Sequence, residues 1–119
     1  MFKFAIDRVP PSVNHYWIQT KNRRFISKEG KEFKKELNLI AKSKIKTPLK
    51  GKVGLNITVI LPNKRRRDVD NFLKPILDGL NNAAYVDDYQ VYKLSIKKTV
   101  SRNKEAKTII EVYEVGERA

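Results

Sequence analysis

Cysteine is absent from the 119-residue chain, and histidine occurs once, at His15. The first absence excludes disulfide frameworks, thiolate zinc sites and cysteine nucleophiles. The second excludes any site that needs two imidazoles. No apolar run approaches the roughly 18 residues of a membrane span. The apolar run in residues 1–11 is too short for a secretory leader. There is no G-x-x-x-x-G-K-[ST] loop and no G-x-G-x-x-G turn, and Gly30-Lys31 lacks the upstream glycine. The chain is therefore expected to be a soluble cytoplasmic protein with no membrane association.

Acids are scarce as well. Twenty-six Lys and Arg stand against thirteen Asp and Glu, a formal net charge of +13. On one small domain that is a large positive field, and its commonest polyanionic partner is nucleic acid. Forty per cent apolar residues suffice for a folded globule. At this length, one domain over residues 1–119 can bury about two-thirds of its extended-chain surface.

The hydrophobic pattern predicts short alternating elements. Phe2, Phe4 and Ile6 suit a first strand, which Pro10-Pro11-Ser12 ends. A polar loop is expected to about Ile26. Ser27 then offers a helix N-cap, and Phe33, Leu37, Ile40 and Ala41 form one stripe, with Lys31, Lys35 and Lys42 on another side. Pro48 follows, and the helix should end near residues 44–46. Val53, Leu55, Ile57, Val59 and Leu61 alternate without a fault and predict the clearest strand. Leu73, Ile76, Leu77, Leu80 and Ala84 predict a second helix that Asp70 or Asn71 can cap, with Pro75 near its first turn. Tyr92, Leu94 and Ile96 predict a third strand, and Ile109, Ile110, Val112, Tyr113 and Val115 a fourth. The polar turn between them suggests a hairpin. The expected fold is α+β: a small mixed β-sheet with two covering helices, in the order β-α-β-α-β-β.

In so basic a chain the acids are conspicuous by position. Five of the thirteen are Asp68, Asp70, Asp78, Asp87 and Asp88. The tightest group lies in Lys64-Arg65-Arg66-Arg67-Asp68-Val69-Asp70-Asn71, between the central strand and the second helix. In an extended stretch, residues i and i+2 point to one side, so Asp68 and Asp70 can present two carboxylates together. Two such groups repel unless a hard cation lies between them, and carboxylate oxygens suit magnesium. Phosphodiester cleavage uses such an ion. The plainer alternative is that both acids pair with Arg65, Arg66 and Arg67 or cap the helix. Lys74 follows Asp70 by four residues, which fits either charge stabilisation at a phosphate or an ordinary i,i+4 ion pair. Asp87 or Asp88 can supply a third ligand or cap a turn. Reaching Asp70 requires residues 81–87 to return along the helix, unless the third acid comes from a partner subunit. His15, Tyr16, Trp17 and Phe25 suit packing, although the aromatics can stack on bases. A non-catalytic basic nucleic-acid-binding module is the alternative function.

Three segments together resemble the RusA family of Holliday junction resolvases (crossover junction endodeoxyribonucleases). Arg67-Asp68-Val69-Asp70-Asn71-Phe72-Leu73-Lys74 is similar to that family's R-D-x-D-N-x-x-K core. Asp87-Asp88-Tyr89-Gln90-Val91 resembles its D-D-x-Q-V segment, and Pro10-Pro11-Ser12-Val13-Asn14 its P-P-S-x-N opening. The resemblance spans nearly the whole chain. It implies a homodimer that resolves four-way DNA junctions by paired nicks, in recombination and repair. It also implies magnesium, with manganese as a substitute, held by Asp68, Asp70 and Asp88, with Lys74 stabilising the developing charge. Hydrolysis would leave 5′-phosphate ends. On that reading Lys64, Arg65, Arg66, Arg67, Lys97, Lys98, Arg102 and Lys104 hold the junction arms.

Overall fold

A computed structural model describes residues 1–12 and 16–116. The central strand, β4 (Val53–Leu61), buries Val53, Leu55, Ile57, Val59 and Leu61 in alternation, as the sequence predicts. Because its apolar face is complete, it takes an interior position. The four-stranded sheet has the order β1-β6-β4-β5, with β1 at Phe2–Ile6, β5 at Val91–Val100 and β6 at Lys107–Glu114.

The expected hairpin between the last two strands does not form. β4 lies between them, antiparallel to β6 and parallel to β5. The polar turn is long enough to step over one strand, since residues 101–106 need to cross only about 10 Å. Ser101 N donates to Leu61 O at 2.8 Å and ties the turn to the end of β4. β5 is consequently an edge strand. Tyr92 and Leu94, expected to face the core, are 62% and 44% exposed.

Helix α1 (Lys28–Lys44) begins where expected: the Ser27 side chain accepts from Gly30 N at 3.0 Å. Phe33, Leu37 and Ala41 are fully buried. Helix α2 (Leu73–Leu80) packs across α1. Gly79 explains itself there, because a Cβ would sit 2.7 Å from Leu37 Cδ2. The helix–helix approach at that point requires glycine despite its low helix propensity. Asn38 Nδ2 seals the contact by donating to Gly79 O and Asn81 O at 2.9 and 3.0 Å.

The region expected as one polar loop contains two short strands, β2 (Trp17–Gln19) and β3 (Arg24–Ile26), paired antiparallel. Their cross-strand partners are aromatic or branched: Trp17 faces Ile26, and Ile18 faces Phe25. Such pairs stabilise a ribbon too short to announce itself by alternation. Arg24 lies 4.3 Å over the Trp17 ring, while Tyr16 is fully buried. His15, with Val13 and Asn14 of the opening motif, lies outside the described residues.

Candidate active site

The chain leaves β4 through Pro62 and makes a tight turn in which Asn63 Oδ1 accepts Arg65 N at 2.9 Å. Lys98 on β5 donates its ammonium to Arg67 O, which fixes the segment against the edge strand. Lys64, Arg65 and Arg66 are exposed and Arg67 is half-buried. With Pro10, Pro11 and Asn71 the three arginines line a cavity of about 390 Å³. Arg102 and Lys104 stand exposed on the turn after β5, and Ala106 of that turn reaches the same cavity. Lys97 is exposed on β5. Six of the predicted arm-holding residues, Lys64, Arg65, Arg66, Arg67, Arg102 and Lys104, thus follow the carboxyl ends of the parallel pair β4 and β5. The crevice outside those ends is where open α/β sheets place ligands.

Asp68 is extended (φ −86°, ψ 140°) and precedes a 3₁₀ turn at Val69–Phe72. Strand alternation therefore stops at Asp68, and Asp70 already lies in the turn. The i, i+2 geometry expected of an extended stretch therefore does not relate the two carboxylates. Neither caps a helix. Asp68 makes no side-chain cap hydrogen bond, and α2 starts behind Phe72 without a side-chain cap. Nor does either pair with an arginine: among the described residues the ion pairs are Arg8–Glu36, Lys74–Asp78 and Lys107–Glu105. Two carboxylates thus sit beside three arginines and remain free. That removes the plainer alternative.

Lys74 does make an i,i+4 pair, but forward rather than back: Nζ lies 3.0 Å from Asp78 Oδ1. Asp78 is buried, and its Oδ2 accepts the Tyr16 hydroxyl at 2.6 Å. Burial above all, and then the Asp78 carboxylate, drives the Tyr16 phenol far above its ordinary pKa, so the hydroxyl stays a donor. Tyr16 thereby anchors Asp78, and Asp78 anchors the catalytic candidate Lys74. The sequence signal for Asp78 was present. It stands four residues after Lys74, just as Asp70 stands four before, and spacing alone does not choose between them.

The third acid sits on a separate device. Asp88 opens a 3₁₀ turn (Asp88–Gln90) whose N-cap, Asp87, accepts Asp88 N at 2.7 Å. Buried Gln90 spends its whole amide on this turn. Its Oε1 accepts Val86 N and Asp87 N at 2.8 and 3.0 Å, and its Nε2 donates to Leu49 O and Gly51 O at 2.8 and 2.9 Å. The Asp88 carboxyl is raised above the ordinary carboxylate range, first by burial and then by Asp87, with Lys74 opposing and Asp78 adding repulsion.

Residues 81–87 turn back after the end of α2. They are held at the far end, where Leu49 and Asn81 both bridge to Tyr85. Asp88 therefore neighbours Lys74, Asp78 and Asp87. Among the described residues no three carboxylate or imidazole groups stand close enough to hold a metal ion. The donors themselves fit magnesium: Asp68 and Asp70 offer hard, unpaired oxygens.

Residues 8–113 match the family described as Endodeoxyribonuclease RusA. The chain is 34% identical over 80 residues to the crossover junction endodeoxyribonuclease of Enterobacteria phage HK97, covering 66% of this chain and 67% of that one. It is 34% identical over 96 residues to that of Enterobacteria phage 82, covering 75% and 80%. It is 31% identical over 96 residues to that of Escherichia coli (strain K12), again covering 75% and 80%. The matched stretch contains Asp68, Asp70, Lys74 and Asp88, and with its motifs in order the chain belongs to the endodeoxyribonuclease RusA family.

Proposed function

We propose that this protein is a magnesium-dependent endonuclease that resolves four-way DNA junctions by paired symmetric nicks, in DNA recombination and repair, as a cytoplasmic homodimer. The observation that carries the reading is the pair of unpartnered carboxylates, Asp68 and Asp70, set beside three arginines. Free acids in a chain of net charge +13 weaken DNA binding, so they are tolerated for chemistry rather than for affinity. The relatives named crossover junction endodeoxyribonuclease support the substrate.

Asp68 and Asp70, with Asp88, would hold the ion. Bound magnesium would polarise the phosphate and lower the pKa of a water, and manganese would substitute. The chain's own residues supply the rest. Lys74, steered by Asp78, offers its ammonium to the charge that develops on the phosphate oxygens. Lys64, Arg65, Arg66, Arg67, Lys97, Lys98, Arg102 and Lys104 bind phosphates and set the register of the junction. The products would carry 5′-phosphate ends.

The separation of Asp88 from Asp68 favours completion of the site across a dimer. Asp68 is tethered near Lys98, seven residues or about 23 Å of strand beyond Val91, while Asp88 precedes Val91. Antiparallel pairing of two β5 edges about a two-fold axis would carry each Asp88 toward the Lys98 end of the other copy. Tyr92, Leu94 and Val100 are exposed on that edge and would be covered. Two sites related by the axis suit two symmetric nicks.

The test is a synthetic four-way junction incubated with and without magnesium and read on a denaturing gel. Magnesium-dependent, paired incisions by the parent protein, lost in Asp70→Asn while junction binding persists, support the reading. Binding without incision at any magnesium concentration overturns it in favour of a binding module.

A further inference from the structure

A second basic surface lies apart from the arginines beside Asp68. Between α1 and the end of α2 runs a groove of about 600 Å³, walled by Lys31, Lys34, Lys35 and Lys42, with Asn38 and Asp78 also lining it. None of the four lysines has an ion-pair partner among the described residues.

The distribution of charge around α1 is not that of a merely soluble helix. At 100° per residue the four lysines fall within a sector of about 100°. Glu29, Glu32 and Glu36 fall within a sector of about 60°, centred roughly 140° away. Phe33, Leu37 and Ala41 occupy the remaining, buried arc. The glutamates face the opposite side, where Glu36 pairs with Arg8 at 2.9 Å and Glu29 lines the arginine cavity. A helix built for its own stability would interleave the signs at i,i+4; here Lys31 and Lys35 repel at that spacing. The repulsion is relieved when a polyanion lies along the stripe.

The length of the stripe also fits. Lys31 to Lys42 covers about 16 Å of helix axis. That equals the axial rise of roughly five nucleotides of one strand. Asp78 lines the groove and also holds the Lys74 ammonium, so a backbone lying in it is one side chain away from that lysine. An acidic protein would not require that continuity.

We propose that this α1 groove holds the phosphate backbone of one arm of the branched DNA substrate, separately from the arm held by Arg65, Arg66 and Arg67. The proposal rests on the junction-cleavage reading above.

The test compares two variants of equal charge change in EDTA, so that no cleavage occurs. The groove variant carries Lys31→Gln, Lys34→Gln, Lys35→Gln and Lys42→Gln. The control carries Lys3→Gln, Lys21→Gln, Lys50→Gln and Lys52→Gln, all at exposed positions. Far-ultraviolet circular dichroism verifies that both fold. Affinity for a labelled four-way junction is then measured by anisotropy over a salt series. Each lost phosphate contact reduces the slope of log affinity against log salt by about 0.9, so the groove variant should lose about 2 to 4 from the slope. Its affinity near 0.1 M salt should fall at least about tenfold, with the control losing less than half as much slope. Equal losses in the two variants, or no loss in the groove variant, overturn the proposal. If the parent cleaves junctions and the groove variant binds unchanged, the groove reading alone fails. If the parent binds no junction, both readings fail.

Discussion

The two segments that carry the candidate acids are held in opposite ways. The Asp68–Asp70 segment is fixed from outside: an exposed lysine on the edge strand holds the Arg67 carbonyl, and the acids themselves make no ion pair among the described residues. The Asp87–Asp88 segment is fixed from inside, by one buried glutamine that makes four hydrogen bonds. The first arrangement leaves donors free to find a ligand. The second positions an acid beside like charges, where its ionised form is disfavoured. The chain thus separates a rigid, electrostatically costly acid from a pair of uncommitted ones.

Substitutions can break this contrast, and the largest effect is on chemistry. Asp70→Asn should reduce junction cleavage at least about a hundredfold, since even indirect partners of a bound metal cost ten- to a hundredfold. Junction affinity in EDTA should stay equal or rise. A gel and an anisotropy titration measure the two. A parallel loss of affinity would assign Asp70 to binding.

Next in size is the internal anchor. Gln90→Ala removes four hydrogen bonds and leaves buried backbone groups unsatisfied, at a cost of about 2–4 kcal/mol. A thermal melt should show Tm falling by about 10 °C. Lys98→Ala, the external counterpart, should cost less than about 0.5 kcal/mol in the same melt, because its side chain is exposed. It should still slow cleavage by loosening the segment that bears Asp68. Equal stability losses would erase the contrast.

The tether of Lys74 comes third. Tyr16→Phe removes the donor that holds Asp78 while keeping the ring that packs against Gly30. Loss of a hydrogen bond to a buried carboxylate costs about 1.5–3 kcal/mol of stability. Single-turnover cleavage should fall about tenfold with half-saturating junction concentration unchanged. An unchanged cleavage rate would make the tyrosine purely structural.

The smallest effect has the opposite sign. Asp88 is raised above its ordinary pKa, so its ionised form costs the folded state near neutral pH. Asp88→Asn should therefore raise Tm of the metal-free protein slightly, although it should abolish cleavage. A lower Tm would mean that the carboxylate is held by contacts rather than tolerated.

How much was legible in advance varied along the chain for physical reasons. Helix α1 was readable because its cap, its apolar stripe and its end are local: Ser27 caps it as expected. β4 was readable because alternation over nine residues has one meaning. The β2–β3 ribbon was not, since three-residue strands carry no period. The partner of β5 was not, because Tyr92, Leu94 and Ile96 alternate as a core strand would, and their exposure depends on what covers them. At the site, Asp68, Asp70, Lys74 and Asp88 were singled out by type, spacing and family resemblance. Asp78, Tyr16 and Gln90 were missed as supports, because their roles are contacts between elements: Tyr16 and Asp78 lie 62 positions apart.

Composition, local capping and alternation determined by themselves that this chain is a basic α+β globule with acids next to arginines in sequence. Each of those depends on residues within a few positions of one another. Tertiary structure alone decided that β4 parts the last two strands, that Lys74 leans to Asp78 rather than Asp70, and that Asp88 neighbours Lys74 and Asp78. Those outcomes depend on which buried surfaces meet, and burial is a property of the assembled sheet rather than of any stretch of sequence.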